Sequence, residues 1–536
     1  MQASLDPGLR RDDKVQLMTA PFPFIRNVAA LRNSGKFDLL VIGGGIYGAW
    51  TACDAAQRGL KVALVEKNDW ACGTSSSSSK LIHGGLRYLE HYEFGLVRHA
   101  LGERRVLSRI APHLVRPLNF QVPVWKDSRV GRLQLLAGLT LYDFLATGKQ
   151  PVPRFKSYSH DRMLRHYPFI AGEGLRGGLR YGDCQEDDAR MTLFVAAAAQ
   201  AAGAVCANRV AASGLLEDQG RVIGATLRDE ESGAAFELRA DCVVNAAGPW
   251  GRALVGEAAE PVKLVKGIHL VLPAIVGCEE AFLLTAPQDG RVFFVIPWYG
   301  RTLLGTTEAQ VADAREAVVR PEEARYLLDA VNALLPGLRW SEADVIASYA
   351  GVRTLHDEPA ATLAAVSREF TITEPKPGLI WPIGGKFTTA RCDTEEVVDL
   401  VLHRLGRAPL PTQTAKRPLP GAPMEAAGLG EFTGWQAEAL SALARRGVDD
   451  EAAHFLTLRH GTGLSRVQAL LDENPDWSER LHREAPFLVA EAVLAVREEM
   501  ARSADDVLRR RMPLSLLVRD TGGARRRVEA LFAGTA

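Results

Sequence analysis

Phe37-Asp38-Leu39-Leu40-Val41-Ile42-Gly43-Gly44-Gly45-Ile46-Tyr47-Gly48, a helix-forming run to Arg58 and Gly59, and then Lys61-Val62-Ala63-Leu64-Val65-Glu66 fix the architecture of this chain. Phe37 to Ile42 is apolar except for Asp38, the pattern of a buried strand. A glycine turn follows, then a helix that stops at Gly59, then a second apolar strand from Lys61 to Glu66. Strand, tight turn, helix, glycine stop and strand make a βαβ unit, and the crossover makes its two strands parallel. The fold class is therefore α/β.

Gly43, Gly45 and Gly48 form G-x-G-x-x-G at the turn. The first glycine permits the turn, the second lets a pyrophosphate approach backbone N–H groups, and the third allows close helix packing. The helix start offers unpaired N–H groups and the positive end of the helix dipole. Glu66 closes the second strand, at the place from which a carboxylate accepts hydrogen bonds from ribose hydroxyls and disfavours a 2′-phosphate. A glycine-rich turn alone is only a tight turn; strand, glycines, helix and terminal acid in register point to a dinucleotide.

The 536 residues exceed what one core organises, so two or three domains are expected. Hydrophobic residues make up 47% and charged residues 24%, which excludes disordered and fibrous classes. Lys plus Arg and Asp plus Glu are 64 each, leaving no overall field for nucleic acid or an anionic membrane. Seven scattered cysteines, an odd number without a close-spaced pair, argue against a disulfide framework or a metal site and fit a reducing cytoplasm. The apolar stretch in the first 36 residues is broken by Pro21 and Pro23, which does not make a signal peptide, and no apolar run approaches a membrane span.

Downstream, Arg221 to Leu227 and Ala235 to Leu238 alternate as short strands of a β-meander, and Cys242 to Gly248 reads as an apolar strand running into small residues. Ile268 to Leu272, Arg291 to Ile296 and Thr302 to Gly305 suggest an antiparallel second lobe. The Pro-rich segment 409–424 reads as a linker, and the 3.6-residue apolar period in Phe487 to Met500 marks a C-terminal all-α domain over 425–536. The expected division is an extension over 1–36, a nucleotide-binding domain over 37–408, and a substrate lobe interleaved with it at about 106–180 and 255–345.

Asn245-Ala246-Ala247-Gly248 after the meander resembles the second strand-turn with which flavoproteins of the glutathione-reductase type, a class that includes D-amino-acid oxidase, close over FAD. Thr74 to Ser79 followed by Lys80-Leu81-Ile82-His83-Gly84-Gly85-Leu86-Arg87-Tyr88-Leu89-Glu90 resembles the segment that marks FAD-dependent glycerol-3-phosphate dehydrogenases. Further blocks match in the same order: Asp183-Cys184 with Asp187 to Arg190, Asn245 to Trp250, Lys266 to His269, Gly351-Val352-Arg353, Gly384 to Thr389, and Arg497 to Ala501 with Asp505 to Leu508. Tyr47 and Thr354 depart from the family, which has a small or amide residue and a proline there; the first is expected to shift the helix start and the second to loosen the strand that carries Arg353.

The resemblance implies FAD, oxidation of sn-glycerol 3-phosphate to dihydroxyacetone phosphate by hydride transfer from C2 to flavin N5, and electron delivery to a membrane quinone from a peripheral site on the cytoplasmic face. It implies a cofactor set of Gly43, Gly45, Ile46, Gly48, Glu66, Lys67, Thr74, Ser75, Ser79, Lys80, Leu81, His83, Gly84, Val210, Ala247, Gly248, Gly385, Lys386, Phe387 and Thr388. A phosphomonoester carries nearly two negative charges and calls for converging cations, for which Arg87, Arg353 and Arg368 are the candidates. His269 is the candidate base, Arg353 orients the reacting oxygen, and Lys386 stabilises reduced flavin. Basic clusters at Arg104-Arg105, Arg509-Arg510-Arg511 and Arg525-Arg526-Arg527 read either as lipid contacts or as solvated helix faces. A homodimer is compatible with the sequence, and the competing readings are a glycerol-3-phosphate oxidase using O₂, an amine or amino-acid oxidase of the same fold, and a non-catalytic flavin-binding protein.

Overall fold

The computed structural model describes residues 22–357, 369–423 and 429–534. Phe37–Ile42 and Val62–Val65 pair in parallel on either side of the Ile46–Gln57 helix, and Gly59 stops that helix at φ +83°. Parallel pairing continues outward to Val205–Ala207 on one side and to Ala235–Asn245 and Leu379–Ile383 on the other. Such strands are covered on both faces, which is why they are almost wholly apolar. The helices Ile46–Gln57, Asp188–Ala201 and Ala390–Arg404 cover one face, and the Val210–Asp218 and Arg221–Asp229 strands with the Val28–Asn33 helix cover the other.

The meander differs in one respect from its sequence reading. Ala235 to Leu238 and the apolar strand beginning at Cys242 are one continuous strand, Ala235–Asn245. Its first half pairs antiparallel with Arg221–Asp229 as far as Arg239↔Gly224, and its second half pairs parallel with Phe37–Ile42 from Ala240 onward. The half-exposed antiparallel part alternates in polarity and the doubly covered part does not, so one strand reads as two.

A second sheet of ten strands builds the other lobe, antiparallel apart from one parallel pairing between Ala281–Thr285 and Arg116–Trp125. It extends to Gln185 and His356, beyond the expected lobe limits, because Leu175–Gln185 pairs with Arg116–Trp125 and Ala347–His356 zips along Val262–Pro273. That last register runs without interruption from Val262↔His356 to Val271↔Ala347. Thr354 sits inside it opposite Leu264, so the threonine does not loosen the strand. Nor does Tyr47 move the helix start: Gly45 remains the N-cap and Ile46 the first helical residue.

The C-terminal helices share one hydrophobic cluster with this sheet, in which Leu456, Leu488 and Val493 join Val271, Ile296 and Tyr349. Segment 409–423 is a packed strap rather than a free linker. Thr414 and Leu419 are buried, the Leu419 N–H donates to Ile110 O at 2.7 Å, and the Thr412 hydroxyl donates to Asp54 at 2.7 Å.

The Arg509 to Arg511 cluster and Arg104 turn inward, while Arg105 stays partly exposed. Arg510 and Arg511 both pair with the fully buried Asp69, at 2.6 Å and 2.7 Å, and Arg509 donates to Ser76 O at 3.2 Å. Burial works to raise the Asp69 carboxyl, but the guanidinium groups of Arg511 and Arg510 hold it well below the usual range. Arg104 is likewise buried against Asp183 at 2.6 Å. Arg525 and Arg527 remain on the surface, paired with Asp505 and Glu479. The Arg132–Leu145 helix instead presents apolar side chains outward, with Leu133 and Phe144 each 81% exposed. Among the described residues, no helix is long and apolar enough to cross a membrane.

Candidate active site

One cavity of about 650 Å³ runs from the glycine turn of the parallel sheet to the inner face of the second sheet. At the first end the backbone leaves no room for side chains. A Cβ on Gly48 would stand 1.9 Å from Gly43 O, and one on Gly43 would stand 2.5 Å from Ala246 O. This draws the 43–48 turn and the 246–248 turn together, and Gly43, Gly45, Ile46, Ala247 and Gly248 all line the cavity. Gly48 is packed behind them. The helix N-terminus carries no side-chain cap at Gly45, while the Ile46 N–H is bonded to Ser75 Oγ at 2.9 Å.

Glu66 anchors the same end. Its carboxylate accepts the Gly44 N–H at 2.6 Å and the Asn68 N–H at 2.8 Å. Burial raises its carboxyl, opposed by those two N–H bonds. Lys67 and Val210 lie on the adjacent wall, with Thr74, Ser75, Ser79, Leu81 and His83 along one side. A tight glycine backbone, a helix start beside it and a buried acid at the end of the second strand form the donor and acceptor set of an ADP moiety, so the residues present fit FAD.

At the other end, strand pairing builds the wall. Val262–Pro273 and Ala347–His356 place Gly267 opposite Gly351, His269 opposite Tyr349 and Val265 opposite Arg353. Alternate residues share a face, so His269, the bare glycine pair and Arg353 succeed one another on the cavity side. The glycines make this spacing workable: a Cβ on Gly267 would meet Thr306 Oγ1 at 2.5 Å and Arg353 Nη2 at 3.3 Å, and one on Gly351 would meet Ser77 at 2.9 Å.

The His269 ring lies against Tyr349, with centroids 4.9 Å apart and planes 11° from parallel, and its Nε2 is 2.9 Å from Ser79 Oγ. Its Nδ1 is buried without a partner. Burial, then the charges of Lys80 and Arg353, push the imidazole down to about 3, so it is unprotonated at neutral pH. The half-buried Arg353 stands 3.5 Å from the Glu308 carboxylate. Lys386, with Gly385, Phe387 and Thr388, lines the third side, and its ammonium lies 3.6 Å from the centre of the Tyr88 ring.

Three expected cofactor residues, Gly48, Lys80 and Gly84, do not line the cavity. Lys80 is buried behind the wall with Nζ 2.7 Å from both Asp188 oxygens and from Ser76 O, because a buried ammonium needs a counter-charge. Gly84 packs on Tyr142 and Leu101, leaving no space for a Cβ. Arg368 lies outside the described residues, as does the side chain of Arg87. The expected cofactor set omitted other lining residues, among them Trp250 and Thr306. Trp250 could have been found from its place at the end of the Asn245 turn; Thr306 carries no local signal.

A family model described as FAD dependent oxidoreductase matches residues 38–385, and one described as the C-terminal domain of alpha-glycerophosphate oxidase matches residues 412–535. The chain is 37% identical to a glycerol-3-phosphate dehydrogenase of Synechocystis sp. over 521 residues, covering 93% of this chain and 92% of the relative. It is 38% identical to glycerol-3-phosphate dehydrogenase 2 of Mycobacterium bovis, covering 90% and 81%. The structure of glycerol-3-phosphate dehydrogenase from Bacillus halodurans complexed with FAD superposes with a TM-score of 0.76 at 29% identity, covering 95% of this chain and 91% of that one.

Proposed function

The chain belongs to the FAD-dependent glycerol-3-phosphate dehydrogenase family, and from this we propose that it oxidises sn-glycerol 3-phosphate to dihydroxyacetone phosphate and passes the electrons to a membrane quinone. The observation that carries the substrate reading is the continuity of one cavity from the nucleotide turn to the His269–Arg353 wall. Bound FAD supplies the two-electron acceptor for the C2 hydride.

Arg353, with a planar fork of donors held on a rigid strand, binds and polarises the oxygens of the substrate. Its contact with Glu308 fixes the direction of that fork. His269 accepts the hydroxyl proton: its imidazole is neutral before substrate arrives, so a lone pair is available. The incoming phosphomonoester offsets the positive charges of Lys80 and Arg353 that oppose protonation, which strengthens the base once substrate is bound. Tyr349, stacked on the ring, and Ser79, bonded to Nε2, hold its orientation. Lys386 places a positive charge on the cavity wall, where reduction adds negative charge. Arg87 and Arg368 complete the phosphate grip in this reading.

The exposed apolar face of Arg132–Leu145 supports a peripheral membrane contact, since clustered apolar side chains on a helix surface favour the lipid interface. Anaerobic addition of glycerol 3-phosphate is expected to bleach the flavin, and a quinone analogue to restore its colour faster than air does. Failure to bleach overturns the substrate; faster recovery in air makes O₂ the acceptor, as in the oxidases for which the C-terminal family model is named. Arg353→Ala is expected to lower kcat/KM about a thousandfold, a loss of roughly 4 kcal/mol, through both kcat and KM.

A further inference from the structure

Tyr47 occupies one of the two variable positions between the second and third glycines of the turn, yet its hydroxyl bonds to another part of the molecule. It donates to Asp393 Oδ2 at 2.5 Å and accepts the Lys386 N–H at 3.0 Å. Its ring lies against Phe370, with centroids 5.6 Å apart and planes 19° from parallel. Asp393 also accepts the Thr389 hydroxyl at 2.8 Å. Amide to phenol to carboxylate is a directed chain, with each donor fixed by the acceptor beyond it.

The fit is steric as well as polar. Gly385 has φ +78°, and a Cβ there would stand 1.7 Å from the Tyr47 hydroxyl and 3.2 Å from Asp393 Oδ2. The phenol therefore fills the space a side chain at 385 would need, and the turn closes over it. Gly384 to Thr388 line the cavity and lead directly into the positive, N-terminal end of the 15-residue helix Ala390–Arg404. Backbone N–H groups and a helix terminus aimed at a flavin favour its reduced, more negative form.

We propose that Tyr47, acting through Asp393, is a positioning residue that fixes the Gly384–Thr388 turn against the flavin and so sets the flavin's reduction potential. This rests on the FAD site alone and holds whichever substrate is oxidised. Around Asp393 stand His99 from the Phe94–Ile110 helix, Cys392 and Glu396 on its own helix, Thr389 and Tyr47. Burial lifts the Asp393 carboxyl to about 6, against the bonds from Tyr47 and Thr389. Above that pH its charge stands behind the turn and opposes electron uptake; below it the opposition disappears.

The test is the flavin midpoint potential of the FAD-loaded protein, measured by dye equilibration across pH 5 to 8. Tyr47→Phe keeps the ring on Phe370 and removes only the hydroxyl. It is expected to weaken the preference for reduced flavin about tenfold, which for a two-electron couple is about 30 mV downward. Asp393→Asn is expected to remove a bend near pH 6 from the potential–pH curve of the wild type and to shrink the effect of Tyr47→Phe made on top of it. An unchanged potential in Tyr47→Phe, or the same shift in both backgrounds, overturns the proposal. Should Tyr47→Phe not load with flavin, Asp393→Asn decides alone: loss of the bend supports the proposal and its persistence overturns it.

Discussion

The two ends of the cavity are built by opposite means. At the nucleotide end, six consecutive residues from Gly43 to Gly48 do the work with backbone, and at Gly43, Gly44 and Gly48 an atom of the chain already occupies the place of a side chain. At the substrate end, residues more than eighty positions apart, such as His269 and Arg353, become neighbours only because Val262–Pro273 and Ala347–His356 pair in one register. The first wall is therefore intolerant of volume and the second of misalignment. A local wall should fail as a folding unit when altered, whereas a paired wall should lose chemistry while the fold survives.

Gly48→Val is expected to strike cofactor binding and stability together. Its Cβ alone would stand 1.9 Å from Gly43 O, and neither backbone can give way without opening the turn. Overpacking of this kind costs about 3 kcal/mol. The variant should purify without yellow colour and melt well below the wild type, as read by the flavin-to-protein absorbance ratio and thermal denaturation. A stable yellow variant would remove the distinction between the two ends.

His269→Ala tests the paired wall. Turnover is expected to fall roughly a thousandfold, within the range of a lost general base, with KM changed less than kcat and the flavin retained. A pH signature accompanies it. Because the imidazole is pushed down to about 3 from 6.5, the unfolded chain takes up its proton first, and the stability this residue contributes is complete above pH 6.5 and lost as pH falls toward 3. His269→Gln should flatten that part of the stability curve, measured by denaturant titration at successive pH values.

Asp69→Asn tests the buried pairs that tie the C-terminal helices to the segment after the second strand. It would leave the buried Arg511 with only the more distant Glu499 carboxylate, 4.0 Å away, and take from Arg510 one of its two acidic partners, Asp506 being the other. Removing one partner of a buried pair costs about 3–5 kcal/mol. Because the loss falls on the seam between the C-terminal helices and the nucleotide segment, urea unfolding should shift while the flavin spectrum of the folded protein is kept. Loss of flavin without loss of stability would instead make Asp69 part of the cofactor site.

What the sequence disclosed follows the same division. The strand, turn and helix around Gly43 were legible because their determinants are adjacent, and Glu66 because a fixed crossover length puts it there. His269 and Arg353 came to notice only through resemblance, since nothing near either residue announces its partner strand. Lys80 looked like a cofactor ligand from its place in the serine segment, and only the fold shows Asp188 waiting for it. The Arg509 to Arg511 run looked like a surface because three adjacent charges usually are one; Asp69, far away in the chain, turns it inward.

Thr354 offers the smallest and most selective test of the paired wall. The residue departs from the family proline, yet its backbone stays in the ladder opposite Leu264, so the register needs nothing from its side chain. Its hydroxyl is buried without a hydrogen-bond partner, a desolvation cost with no return. Thr354→Val keeps the shape and removes that cost, and thermal melting should show stability unchanged or raised by up to about 1 kcal/mol. A loss of stability instead would mean that the hydroxyl has a partner in the loaded protein, and that the wall depends on side-chain bonding as well as on strand register.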